Sequence, residues 1–255
     1  MLKSSRDAAA EVSLEDAREP KEAGQEASQT SARITGVLFL ITFITSIAAL
    51  VLFQPVLDDP AGYIAGGGTE SRVYFGALLE LLLIVANIGT AVVPFPTLRR
   101  QHESLALGYV TARIMECVFI AVGILAVLAI VTLRNDAGAN AASLGGYAES
   151  LAAIKDRTFL LGPGFIVGIG NGLILGYLMY RSNLVPRKMA MLGLVGGPLI
   201  ILSGIGVLVD LYEAGSPVQG IATIPEFLWE LSLGLYLTIK GFKPQPTLSS
   251  QAQSA

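Results

Sequence analysis

Residues 107–133 read LGYVTARIMECVFIAVGILAVLAIVTL. Within this run only Arg113 and Glu116 are charged. As a helix it rises about 40 Å at 1.5 Å per residue, which exceeds the roughly 30 Å of bilayer hydrocarbon. It therefore spans with tilt or extends into water. A transmembrane strand would be about half as long and would alternate polar with apolar residues, and this run does not alternate. Working outward, five further apolar runs lie at 34–53, 73–93, 158–180, 189–209 and 221–239. The predicted fold is an all-α polytopic membrane protein, a bundle of six transmembrane helices over residues 32–243.

Composition agrees. Of 255 residues, 53% are apolar and 15% charged, and mean hydropathy is +0.62. A soluble domain carries about 25% charged residues, because a solvated surface needs them. The single Cys117 excludes an internal disulfide framework, and the single His102 excludes bis-histidine haem. Residues 1–31 are polar and acidic, lack the apolar core of a signal peptide, and are expected to form a mobile cytoplasmic tail. Residues 244–255 are expected to form a second tail, and the Gly/Ala/Ser-rich stretch 134–157 a flexible loop.

Lys and Arg sort by side. With the N-terminus cytoplasmic, twelve of the seventeen lie in the tails and inner connections. Four (Arg72, Arg134, Lys155 and Arg157) lie in outer loops, and Arg113 lies in a span. Both termini are then expected inside.

Charges within spans are the informative exceptions. They are Glu80, Arg113, Glu116 and Glu230, with Glu226 nearer the outer end of the last span. Four unpaired central charges would cost on the order of 10–14 kcal/mol, so pairing, protonation or water access is expected. Arg113 and Glu116, at i and i+3, share a helix face and can pair. Glu226 and Glu230, at i and i+4, share a face and repel unless a cation or proton intervenes. Counting depth along each span places Glu80, Glu116 and Glu230 in one central-to-outer band, with Asn87 and Asn171 beneath them near Arg113. Such a layer either glues helices together or binds and conducts something.

Gly164, Gly168, Gly172 and Gly176 recur every fourth residue in the fourth span, and Gly193 and Gly197 do so in the fifth. This spacing lets backbones approach closely, either between these two spans or across a homo-oligomer face. Cys117 reads as a small apolar residue and His102 as a solvated loop residue. No Walker loop, HExxH, GxSxG or EF-hand pattern occurs. No cofactor, metal or nucleic-acid partner is expected.

Four segments carry a resemblance: ARITGVLFLITFITSI (32–47), ALGYVTARIMECVFIAVGIL (106–125), NLVPRKMAMLGLVGGPL (183–199) and PEFLWELSLGLYLTIKGF (225–242). They resemble a bacterial family of six-span membrane proteins described as domain of unknown function 4386. The recurring pieces map to Arg113 and Glu116, to Leu184-Val185-Pro186-Arg187, and to Pro225-Glu226, Trp229-Glu230 and Lys240-Gly241-Phe242. The resemblance implies a bacterial inner-membrane setting and supplies no activity. Three readings stay open: a small transporter or solute-binding bundle using the Glu/Arg layer, a structural or regulatory partner protein, and an intramembrane enzyme with a Glu as general acid or base. The enzyme reading has no nucleophile or metal set behind it.

Overall fold

The computed structural model describes residues 2–244, with side chains from Gly24 onward except at Ala139. The chain is helical throughout, and there is no strand among the described residues. In order, α1 is Leu2–Asp58, α2 Pro60–Ile64, α3 Glu70–Val92, α4 Phe95–Leu98 and α5 Glu103–Ala137. After a 3-10 turn, α6 (Ala141–Phe159) leads into two π-helical stretches, Leu160–Ile166 and Gly168–Leu175, and then α7 (Gly176–Ser182). The chain closes with α8 (Arg187–Leu208) and α9 (Pro217–Lys240).

Five helical rods are long and apolar enough to cross a membrane: Gly24–Asp58, Glu70–Leu98, Glu103–Ala137, Ala141–Ser182 and Arg187–Leu208. The protein is therefore a polytopic helical membrane protein. Its outer surface suits lipid, since Ile44, Val85, Leu125, Leu202 and Ile239 all project outward and exposed. α9 is of similar length but carries Glu226 and Glu230 in its middle.

The helices close into a ring. α1 packs between α3 and α9, and α3 packs on α5. α5 packs on α6 and both π stretches, these pack on α8, and α8 on α9. Two apolar cores fill the ring. One surrounds Phe39, Tyr109, Trp229 and Leu237; the other surrounds Phe53, Tyr63, Ile124 and Ile130.

The helix ends are set by local chemistry. His102 caps α5, its Nδ1 accepting the Leu105 N–H at 3.3 Å, so it has a structural task rather than an idle position in a loop. Ser216 caps α9, with Pro217 in the first turn. Asn183, at φ 54°, ends α7 in the left-handed conformation that suits a helix C-terminus. At the α2 end, Arg134 donates to the carbonyls of Gly66, Gly67 and Gly68 and lies over the Tyr63 ring at 4.5 Å. Burial pushes the Tyr63 hydroxyl up from its ordinary value, with the Arg134 charge opposing.

Three expectations change. The stretch 134–157 is not a flexible loop: α6 runs through it, with Gly145, Ala148, Ala152 and Lys155 buried as a stripe at helical spacing against α2 and α5. The small residues read as linker composition are there because two helices pass close by. At the other end, α1 extends back through the stretch expected to be a tail. Gln29 donates to the Phe242 carbonyl at 2.7 Å and Ser31 to the Val93 carbonyl at 2.7 Å, so packing begins before residue 32. The fourth apolar run is π-helical over most of its length, and its π stretches hold Pro163, which cannot donate to the ladder, and five glycines. The expected tail beyond Pro244 lies outside the described residues.

Candidate functional site: a charged cavity inside the helix ring

A cavity of about 200 Å³ lies within the ring. Its walls include Glu80, Asn87, Arg113, Glu116, Lys155, Glu226 and Glu230. Four elements supply them, α3, α5 and α9 two each and α6 one, and α1 adds Thr42, Ser46 and the rings of Phe43 and Phe53.

Arg113, Glu116 and Asn87 form a closed triangle. The guanidinium donates to Glu116 Oε2 at 2.7 Å and, by its other terminal nitrogen, to Asn87 Oδ1. Asn87 Nδ2 donates back to Glu116 Oε1 at 3.1 Å. All three are buried, and the Arg113 guanidinium also lies 5.9 Å from the centre of the Phe39 ring. The spacing of Arg113 and Glu116 along the helix foretells their pairing. The bridge to Asn87 belongs to the tertiary fold.

Glu80 has a different partner. Lys155 reaches it from α6 and donates to both oxygens, at 2.5 and 2.7 Å. The sequence reading placed Lys155 in a solvated loop and so missed it. One signal in the sequence marked it, since it completes the Gly145–Ala148–Ala152 stripe at helical spacing, and in the fold Gly123 stands opposite it. A Cβ at Gly123 would sit 2.9 Å from Lys155 Cδ and 2.8 Å from Thr158 Oγ1, so that glycine leaves the lane for the lysine stem. The Lys155 ammonium also lies 5.0 Å from the centre of the Phe53 ring.

Lys155→Met is expected to destabilise the protein, because it strands a buried carboxylate. The loss should be about 2–3 kcal/mol, at the lower margin of the range for breaking a buried pair, since the Glu80 side chain retains 11% exposure. Adding Glu80→Gln to the same chain should restore most of it. Urea or SDS unfolding of the purified single and double variants measures both values, and additive losses would contradict the pairing.

Glu230 and Glu226 share the same face of α9. Glu230 accepts from Asn171 Nδ2 on the second π stretch. The Asn171 carbonyl in turn takes the Trp229 indole N–H at 2.9 Å, a buried donor that tethers α9 to the π stretch. Glu226 is 2% exposed, and neither of its oxygens has a hydrogen-bond partner. It packs on glycine: a Cβ at Gly172 or Gly196 would sit 2.8 Å from Glu226 Oε2.

The glycines divide accordingly. Gly168, Gly172 and Gly197 meet backbone to backbone, Gly176 faces Leu194 and Ala190, and Gly193 accommodates the Trp229 ring. These five are used inside the chain, at the crossing of the π stretches with α8 and α9. Gly164 is not at that crossing; its nearest neighbours are Phe159 and Leu160 of the preceding turn. Cys117 directs its thiol to the Ile84 carbonyl at 3.7 Å, and no cluster of metal-ligating residues is present among the described residues.

With every group ionised, Glu80, Glu116, Glu226 and Glu230 outnumber Arg113 and Lys155 by two. Both cations are already committed to Glu116 and Glu80. The arrangement therefore has spare acceptors and no spare cation, and it suits a proton or a positively charged guest.

No curated protein and no solved structure matches the chain. A family described as a domain of unknown function (DUF4386) matches residues 34–241, which include every residue lining the cavity. The chain belongs to this DUF4386 family.

Proposed function

We propose that the protein is a six-span transporter-type bundle whose central cavity takes up a small solute, proton or cation. The observation behind this reading is Glu226: a buried carboxyl lining the cavity with no partner for either oxygen. A network serving only as interhelical glue pairs its charges, as Arg113 and Glu116 do, whereas the Glu226 carboxyl meets no partner at either oxygen. An unmet carboxyl in hydrocarbon is costly unless a proton or a bound cation neutralises it.

A sixth crossing by α9 is supported by length and by where the chain ends meet. Its residues 217–240 rise about 36 Å, enough to cross hydrocarbon. Gln29 at the base of α1 meets Phe242 just past α9, whereas five crossings would leave these residues on opposite sides. The Lys and Arg distribution supports a cytoplasmic location for that shared end, and the family resemblance is the ground for proposing a bacterial inner-membrane setting.

In vesicles reconstituted with the purified full chain and an entrapped pH-sensitive dye, an imposed proton or potassium gradient should collapse faster than in empty vesicles. Glu230→Gln should abolish the pH-dependent part of that flux while its unfolding midpoint stays near wild type. Flux that is unchanged in Glu230→Gln, or absent from the wild type, would reject transport.

A further inference from the structure

A second, apolar groove of about 610 Å³ runs along the outside of the bundle. It is lined by Ile44, Ile47 and Val51 of α1, Phe75 of α3 and Leu231 of α9, and it shares Phe43 and Phe227 with the charged cavity. These two rings meet edge to face, with centroids 5.1 Å apart and planes at 84°. They form the wall between groove and cavity. Across that wall the environment changes within one residue: Glu226 is 2% exposed and faces the cavity, while Phe227 is 42% exposed on the bundle surface.

We propose that the groove and cavity together bind a single-chain amphiphilic ammonium ion drawn from the bilayer, its headgroup at Glu226 and its alkyl chain in the groove beside Phe43 and Phe227. The inference rests on the solute-binding reading above and names the class of solute. Charge selects the headgroup. Glu226 offers two acceptor oxygens without a donor, and an ammonium supplies three donors. An anion finds Arg113 and Lys155 already bound to carboxylates. The wall suits such a guest, because aromatic faces attract a desolvating cation and apolar ring surface accepts the chain.

The test uses the full chain in phosphatidylcholine nanodiscs. Trp229 is the only tryptophan, is fully buried and lies one helical turn from Glu226, so its emission reports on the site. Octylammonium should change that emission saturably, whereas octanol and octanoate, matched in chain length, should not. Methylammonium, matched in headgroup, should bind at least about tenfold more weakly, since it forgoes burial of the chain. Glu226→Gln should weaken octylammonium by about tenfold or more, the scale of one lost charge-assisted hydrogen bond, with its unfolding midpoint kept or raised. Phe227→Ala, a change at the bundle surface, should speed the stopped-flow approach to saturation several-fold.

Equal binding of methylammonium would overturn the bilayer route, and an equal response to octanol would overturn the role of Glu226. Unchanged affinity in Glu226→Gln or unchanged kinetics in Phe227→Ala would each count against the proposal. Proton flux that Glu230→Gln abolishes, with no octylammonium response, would sink this inference and leave the transport reading standing.

Discussion

Arg113→Met should cost about 3–5 kcal/mol, the range for removing one member of a fully buried ion pair, and should show as a large fall in the SDS or thermal unfolding midpoint. Methionine keeps much of the apolar stem, so the loss is mainly electrostatic. Glu116 would keep one hydrogen bond, from Asn87, and lose its charge partner. Asn87 would keep a donor contact and lose the guanidinium at its own oxygen. Both side chains are only a few per cent exposed, so bulk solvent replaces little of the lost contact. The double variant Arg113→Met with Glu116→Leu should regain most of the loss, because an apolar pair of similar volume fills a buried site at little cost. A double variant as unstable as Arg113→Met would mean that the triangle acts through packing instead.

Gly172→Leu should be comparably severe, more than about 3 kcal/mol and so beyond the ordinary range for overpacking. A Cβ alone at Gly172 would lie 2.4 Å from Gly197 Cα and 2.8 Å from Gly197 N. Those are backbone atoms, so no rotamer change relieves the clash, and α8 must move away from the π stretch. The same side chain would displace Glu226 Oε2, so assembly and the cavity should suffer together. Gly220→Ala is the control. Nothing lies within 4 Å of the position where its Cβ would stand, and an alanine in a helix is favoured over glycine by up to about 1 kcal/mol. Unfolding midpoints that rank Gly220→Ala at or above wild type and Gly172→Leu far below it would support a close backbone crossing. Equal midpoints would contradict it.

The polar layer was partly legible before the fold. Arg113 and Glu116 share a face by spacing alone, and so do Glu226 and Glu230. Glu80, Glu116 and Glu230, which counting along the spans puts in one band, all line one cavity. Lys155 escaped because composition and periodicity disagreed over 134–157. Glycine, alanine and serine suggested a linker, while buried Gly145, Ala148 and Ala152 keep the spacing of a helix stripe. Gly164 misled in the opposite way. It continues a four-residue glycine pattern, yet it lies in the π-helical stretch beginning at Leu160 and faces Phe159 and Leu160 of the preceding turn, because i+5 bonding shifts the faces that a four-residue spacing would align.

What the sequence determined by itself is the class of protein and the course of its long apolar helices. In hydrocarbon each backbone N–H and C=O must be satisfied within its own segment, so an apolar run of sufficient length specifies its own structure. What only the tertiary structure decided is which costly side chains meet. It brought Lys155 to Glu80 and Asn87 into the Arg113–Glu116 pair, and it left Glu226 against two glycines with nothing to bond. Those outcomes depend on how six neighbouring elements rotate and cross. No single segment carries that information, because pairing between charges is a property of distances across the bundle.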